Sequence, residues 1–170
     1  FEEALEANSI GFFDSDILEQ IIDHFLIKSQ IKKALKTCEH ALYQFPYSNL
    51  FKLRKAQIIS AIGQLDESLE ILDQLDEHQE NSSELFATKA SIYSQLKQHQ
   101  KAIEYFKLAI ENCGQDELDE LYLDLAIEYE TVKEFDNAIE TLTKILEINP
   151  KNEAALYEIA FCYDLTREFD

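Results

Sequence analysis

Apolar residues recur along this chain at the spacing of amphipathic α-helices. One such segment carries apolar residues at i, i+3, i+4 and i+7, namely Tyr122, Leu125, Ala126 and Tyr129. After a short polar corner at 133–134, helical spacing resumes in a second segment with Phe135, Ala138, Ile139, Leu142, Ile145 and Leu146. Both patterns have a period near 3.6 rather than the period of two that a half-buried strand requires. The pattern therefore predicts an all-α fold built from pairs of helices.

The helix pairs repeat along the chain. A small residue followed by Leu or Ile recurs after 34, 34 and 36 residues, at Ala34-Leu35, Ser68-Leu69, Ala102-Ile103 and Ala138-Ile139. With this small residue as position 20, the repeats are 15–48, 49–82, 83–118 with an acidic connector, 119–152 and an incomplete fifth at 153–170, after an N-terminal capping segment at 1–14. One helix pair cannot bury its apolar face alone, so we expect all repeats to stack into one solenoid domain.

Small residues and helix-ending residues agree with this frame. The shared small position on first helices holds Ala56, Ala90, Ala126 and Ala160, while second helices have theirs at position 20. Small side chains flanked by larger ones let two helix axes approach closely. Pro46 and Pro150 end second helices, and Gly63 lies in a corner between helices.

In this frame the sequence resembles the tetratricopeptide repeat (TPR) family, which has the same period and a characteristic aromatic, small and Pro pattern. The fourth repeat matches best, with Tyr122, Leu125, Ala126, Tyr129, Phe135, Ala138 and Pro150. The third repeat has Lys89 where Leu is usual, and the first has the larger Ile22 at the small position. The resemblance implies a right-handed α-α superhelix that binds other proteins. The glycine-poor repeats look most similar to bacterial TPR proteins, and the absence of any Met suggests a fragment of a longer chain.

Composition and charge narrow the range of partners. The 170 residues include 34 Asp and Glu against 15 Lys and Arg, for a formal net charge of −19. An acidic surface repels phosphates, so we expect no nucleic acid partner. No apolar run is long enough to cross a bilayer, so we expect no membrane insertion. Three widely spaced cysteines indicate reduced thiols, as in a cytoplasmic protein.

Residue patterns typical of catalysis are missing from the sequence. Two pairs of carboxylates lie four residues apart, Asp124 with Glu128 and Asp66 with Glu70, but such pairs arise by chance in an acidic chain. We expect both pairs to be solvated surface charge rather than a desolvated catalytic pair. The chain has no GxSxG, Walker or GxGxxG motif, and its His and Cys residues lack the spacing of zinc ligands. We therefore predict no enzyme activity, no cofactor and no metal site.

The TPR resemblance implies a concave groove lined by the first helices, where a partner would bind. The candidate partner-binding residues at groove positions are Leu50, Leu53, Gln57, Glu120, Leu123, Asp124, Ile127, Glu130, Tyr157, Glu158 and Phe161. The apolar members are not needed for the core and so suggest a peptide site. Arg54 is the only basic residue at a groove position, which argues against the basic clamp of TPR co-chaperones.

The charge is uneven along the chain and suggests the chemistry of the partner. Segment 15–48 is formally neutral, whereas 119–152 carries −6 and 153–170 carries −4. We therefore expect a preference for a basic amphipathic segment, weakened by salt.

The expected function is a non-catalytic scaffold or adaptor that binds a peptide or helix of a partner protein. One alternative is a regulatory or substrate-docking part of a larger enzyme whose catalytic domain lies elsewhere. Another is a structural scaffold that assembles through its ends, because the last helix has an outer apolar side that no second helix covers. End-to-end self-association would follow from that side.

Overall fold

A computed structural model describes residues 11–77 and 82–169 of the chain. Within these residues the chain forms nine α-helices, one short 3-10 helix and no strand, which confirms the all-α fold built from helix pairs. The chain divides into an N-terminal unit, residues 1–79, and a C-terminal unit, residues 80–170. That all repeats stack into one solenoid domain stays a prediction.

The described residues of the N-terminal unit, 11–77, form four helices in two pairs. Their bounds are Ser15–Ile27 (α1), Ile31–Gln44 (α2), Asn49–Ala61 (α3) and Leu65–Glu77 (α4). A core of α1, α2 and α3 side chains is formed by Leu18, Ile22, Phe25, Ala34, Cys38, Ala41, Phe51 and Ile58. The Cys38 thiol donates a hydrogen bond to the Phe51 carbonyl at 3.2 Å, and burial raises the pKa of Cys38 to about 12. Cys38 is therefore a neutral core residue, as its position in the repeat suggests.

The capping segment expected at 1–14 is described only in part. Residues 1–10 lie outside the described residues, whereas residues 11–14 pack beside the end of α2. The Phe13 amide donates to Gln44 Oε1 at 3.2 Å, and Gln44 Nε2 donates to the Gly11 carbonyl at 3.0 Å. The Gln44 amide group thus fixes this part of the chain against α2.

The C-terminal unit contains five helices. Their bounds are Ser83–Gln95 (α5), His99–Glu111 (α6), Leu118–Thr131 (α7), Phe135–Ile148 (α8) and Glu153–Phe169 (α9), with a 3-10 turn at Gln115–Glu117 before α7. Lys89, which replaces the usual Leu, is buried with its Nζ 5.3 Å from the centroid of the Tyr105 ring. A cation over an aromatic face helps a charged side chain to remain in an apolar layer.

The small residues of the repeat lie where the paired helices approach each other. Those at the two shared positions in the first four repeats are all fully buried, namely Ala34, Ala56, Ser68, Ala90, Ala102, Ala126 and Ala138. Ser68 Oγ donates to the Ala56 carbonyl at 2.8 Å, so its hydroxyl is satisfied across the α3–α4 interface. On α9 the corresponding residue, Ala160, is exposed.

Each corner within a helix pair has the same backbone conformation. Position 15 of the repeat has a positive φ four times, at Ser29 (55°), Gly63 (86°), Lys97 (61°) and Lys133 (63°). The next amide donates to the carbonyl five residues earlier, at 2.8 to 3.0 Å, in Gln30–Phe25, Gln64–Ile59, Gln98–Tyr93 and Glu134–Tyr129. This is the Schellman type of helix ending. The sequence indicated corners at Gly63 and at 133–134, and of these only Gly63 has the residue typical of a positive φ.

We predict that Gly63→Ala destabilises the protein and that Gly114→Ala does not. An alanine at φ 86° costs about 1 kcal/mol in the free energy of unfolding. Gly114 has φ −77°, which alanine adopts freely, and neither glycine has an atom that an added Cβ would meet within 4 Å. Urea unfolding followed by circular dichroism measures both variants. Equal effects at the two sites would contradict the role of the positive φ.

Candidate functional site

Two side-chain hydrogen bonds join α7 to α9 and to Asn152, the residue just before α9, in the C-terminal unit. The Cys162 thiol donates to Glu130 Oε1 at 3.4 Å near one end of the pair, and Asn152 Nδ2 donates to Asp119 Oδ2 at 3.3 Å near the other. Eight of the residues predicted to bind a partner are on these two helices. We refer to them as the α7–α9 face: Glu120, Leu123, Asp124, Ile127, Glu130, Tyr157, Glu158 and Phe161.

Large apolar side chains on the α7–α9 face are open to solvent. Ile127 is 48% exposed, Tyr157 71% and Phe161 44%, while Leu123 is half-buried. Single exposed apolar residues are ordinary on protein surfaces, but several on two helices in contact form a patch that can receive another apolar group.

Carboxylates on the same face are held in conditions that disfavour their charge. Desolvation raises the pKa of Asp124, and the nearby Glu120 and Glu128 raise it further. Desolvation also raises the pKa of Glu130; Glu158 adds to the rise, and the hydrogen bond from Cys162 opposes it. The same burial and the Glu130 charge raise the pKa of Cys162 to about 12. The face thus concentrates negative charge that lacks enough nearby cations.

A cleft between α5 and α7 adjoins this face. Its volume is about 460 Å³. We refer to it as the acidic cleft. The residues that line it include Ser83, Glu84, Glu117, Glu120, Leu121 and Asp124. Glu117 and Ser83 escaped the sequence analysis because both lie outside the groove positions: Glu117 ends the 3-10 turn before α7, and Ser83 is the first residue of α5. Glu84 occupied a groove position, but an isolated Glu in so acidic a chain carries little signal.

The predicted residues of the N-terminal unit are arranged differently. Leu50 is exposed, but Leu53 is only 8% exposed, so the expectation that it lies on an open face is wrong. Gln57 Oε1 accepts a hydrogen bond from Arg54 at 3.2 Å. Arg54 also approaches Glu19 at 3.4 Å and Asp23 at 3.7 Å, so the one basic groove residue is paired within its own unit.

Glu128 was expected to be solvated surface charge, and this expectation is wrong. Glu128 is buried and its Oε2 lies 2.8 Å from Nδ1 of His99, the first residue of α6. The pair ties α6 to α7 on the side of α7 away from open solvent. A repeat pattern cannot reveal such a contact, because the two residues are 29 positions apart and neither belongs to the TPR signature.

The described residues hold no metal-ion cluster and no disulfide. Across 11–77 and 82–169, no cluster of three or more His, Cys, Asp and Glu could hold a metal ion. All three cysteines are free thiols. None of the helices in the described ranges is both long enough and apolar enough to span a membrane. The arrangement on α7 and α9 can therefore contribute apolar contact and negative charge.

Comparison with known proteins identifies a family and a set of similar structures. The family model described as "Psidin, N-terminal TPR repeats region" matches residues 20–163. Cell division cycle protein 27 homolog A of Arabidopsis thaliana is 32% identical over 79 residues, which are 46% of this chain and 11% of that protein. The chain thus matches only a small part of this relative.

Two solved structures illustrate the likeness in fold. TTC0263, a thermophilic TPR protein of Thermus thermophilus, has 20% identity and a TM-score of 0.76, with 95% of this chain and 86% of that chain covered. A chain in the structure of Naa15/Naa10 bound to HypK-THB has 20% identity and a TM-score of 0.72, with 89% of this chain and 22% of that chain covered. At such identities the likeness concerns the fold alone.

We predict that Glu130→Gln stabilises the protein at pH 7 by roughly 0.5 kcal/mol, a small value because solvent screens a half-buried group. The raised pKa means that the folded state binds more protons than the unfolded state, so Glu130 lowers stability as the pH rises through and above its ordinary value of 4.5. The gain from glutamine should therefore disappear below that pH.

The control for this prediction is Glu104→Gln, which makes the same change at an exposed position on α6. Urea unfolding of the parent and of both variants at pH 7 and at pH 3.5 gives the six free energies required. A gain for Glu130→Gln that persists unchanged at the lower pH would contradict the electrostatic explanation.

Proposed function

The chain belongs to the family of the Psidin N-terminal TPR repeats, and we propose that it is a non-catalytic interaction module that binds a segment of a partner protein on the α7–α9 face. The fold is that of a protein–protein interaction scaffold. A similar chain occurs in the structure of Naa15/Naa10 bound to HypK-THB, which supports a protein as the partner.

The exposed patch on α7 and α9 is the observation that carries this proposal. Tyr157 is largely open to solvent, and Ile127 and Phe161 are about half open, so none of the three is a core residue. An apolar segment of a partner would remove this surface from water, which is favourable by roughly 25 cal/mol per Å² of apolar area. Such packing is typical of a helix or an extended peptide bound in a groove.

The carboxylates around the patch set the expected charge of the partner. Glu120, Asp124, Glu130 and Glu158 surround the apolar residues, and the pKa values of Asp124 and Glu130 are raised by burial. A cation brought close to them would relieve the repulsion, so a basic amphipathic segment fits better than an acidic one. Attraction of this kind speeds association and weakens with salt.

Self-association through α9 is a second proposal, supported by a comparison within the C-terminal unit. On α7 the stripe Leu125, Ala126 and Tyr129 is buried. The equivalent residues on α9 are Ile159, Ala160 and Tyr163; Ala160 and Tyr163 are exposed, as is Leu156 one turn earlier, while Ile159 is half-buried. A stripe that is covered in one repeat and open in the next can pack against another copy.

A regulatory or substrate-docking role within a larger enzyme is the alternative from a different functional class. The α7–α9 face would serve such a role by the same contacts, with the chemistry performed by a domain elsewhere.

The main proposal predicts that Leu123→Glu/Ile127→Glu abolishes partner binding. Two new carboxylates replace apolar contacts and add repulsion on the α7–α9 face, while both sites are open enough for the helix to persist. Affinity capture from lysate, read by mass spectrometry, compares this variant with the parent. Circular dichroism checks that both are folded.

The matched control is Leu108→Glu/Ile148→Glu, which makes the same changes at two exposed positions on α6 and α8. The proposal requires a set of proteins that binds the parent and this control but not the α7–α9 variant. Capture of the same proteins by all three would contradict it.

The second proposal predicts that the apparent mass rises with concentration in light scattering and that Leu156→Glu/Tyr163→Glu prevents the rise. The substitutions place charge in the exposed stripe of α9, where close packing of two copies would bury it. A parent that remains monomeric at high concentration would contradict self-association.

A further inference from the structure

The acidic cleft between α5 and α7 has the features of a pocket for a positively charged side chain. Four carboxylates line it, those of Glu84, Glu117, Glu120 and Asp124, and none of its described lining residues is Lys, Arg or His. An ammonium or guanidinium group in this space would meet negative charge from both helices. Guanidinium groups also match carboxylates geometrically, because two parallel hydrogen bonds can form.

Charge by itself does not make this cleft a binding site. Glu84 lies in the first turn of α5, and Glu117 and Glu120 lie at the start of α7. Acidic residues are common there because they interact favourably with the positive end of the helix dipole. Asp124 is different: it lies one turn further along α7, beyond the reach of that effect, and its pKa is raised.

Ser83 supplies the second, independent observation. Ser83 is one of the residues that line the cleft, and it is only 7% exposed. Its Oγ is buried, and no hydrogen-bond partner for it exists among the described residues. A buried hydroxyl without a partner costs free energy, on the order of 1–3 kcal/mol. An N–H donor that enters the cleft would satisfy this oxygen.

The acidic cleft and the exposed apolar residues lie close to each other along α7. Asp124 is adjacent in sequence to Leu123 and three residues before Ile127 on the same helix. Side chains at i and i+3 are neighbours on a helix surface. A cation beside Asp124 would therefore be about one helical turn from the apolar group that contacts Ile127.

We propose that the acidic cleft binds a single Lys or Arg side chain of the partner segment and thereby fixes the register of that segment on the α7–α9 face. This rests on the proposed function. It adds a defined recognition element, namely one basic residue within a turn of an apolar residue. The carboxylates of Glu120 and Asp124 accept hydrogen bonds from the cation, and Ser83 Oγ accepts another.

The test begins with selection of random peptides displayed on phage against the whole chain. The most enriched peptide is then synthesised in two forms, one with its basic residue as Arg and one with citrulline, which has the same shape without the charge. We expect the parent to bind the Arg form about tenfold more tightly, the effect of one charge-assisted contact.

Four variants locate this preference. Glu120→Gln/Asp124→Asn should bind the two peptides about equally, whereas Glu104→Gln/Glu147→Gln should keep the preference, because it removes two exposed carboxylates outside the cleft. Ser83→Ala, which leaves all charges in place, should weaken binding of the Arg form about fivefold. Ile127→Glu tests the proposed function and should abolish binding of both peptides. Circular dichroism confirms that each variant is folded.

Side-chain carboxyl NMR gives a readout that a purely structural role would not move. The Arg peptide should lower the pKa of Asp124, and the citrulline peptide should leave it raised. Enriched peptides without a basic residue, or an Arg preference that survives Glu120→Gln/Asp124→Asn, would overturn the cleft proposal. Loss of binding with Ile127→Glu would leave the proposed function intact in that case.

A different result would contradict the proposed function and leave the cleft proposal standing. If Ile127→Glu binds as the parent does, the α7–α9 face is not the site and the proposed function fails. An Arg preference that is still lost with Glu120→Gln/Asp124→Asn would then support the cleft alone. A selection that enriches no peptide at all would contradict both.

Discussion

The close approach of paired helices is the constraint on which the rest of this structure depends. In each of the first four repeats the shared small position on the second helix is fully buried, from Ala34 to Ala138. A larger side chain there would force the helix axes apart and open the core between them. Ser68 shows how narrow the tolerance is, because its one additional oxygen is accommodated only by a hydrogen bond to the Ala56 carbonyl.

This packing also determines which surface remains for binding. When second helices cover one side of α7, residues such as Leu125 and Tyr129 are buried, and the opposite side is left with Ile127 and its neighbours. The Glu130–Cys162 and Asp119–Asn152 contacts join α7 and α9 and keep Glu158 close enough to Glu130 to raise its pKa. The fold thus creates a face where apolar groups and unfavourable charge occur together. A ligand that is both basic and apolar would cover the apolar groups and reduce the repulsion between the carboxylates.

The sequence predicted the elements well because the repeat signal is carried by many residues at once. Each small or aromatic position recurs several times, so the helix pairs and the corner at Gly63 follow from the frame. Individual side chains carry no such redundancy. Leu53 occupies a groove position yet is buried, and Glu128 occupies a helix face yet pairs with His99.

The acidic cleft could not be predicted from the sequence for a related reason. Its walls come from α5, α7 and the 3-10 turn before α7, and the turn belongs to the two-residue insertion that interrupts the regular period. A pattern built on equal repeats cannot place a residue such as Glu117. Ser83, in turn, reads as an ordinary helix start until its unsatisfied oxygen is seen.

The shared corner conformation has a consequence for how such a chain can change over evolutionary time. Because the same ending, with the same backbone hydrogen bond, occurs at Ser29, Gly63, Lys97 and Lys133, the turn forms with or without glycine, although the positive φ is less costly for glycine. Mutations can accumulate at these positions while the angle between the two helices is preserved. Divergence of the repeats, and with it of their binding surfaces, can thus proceed while the architecture stays the same.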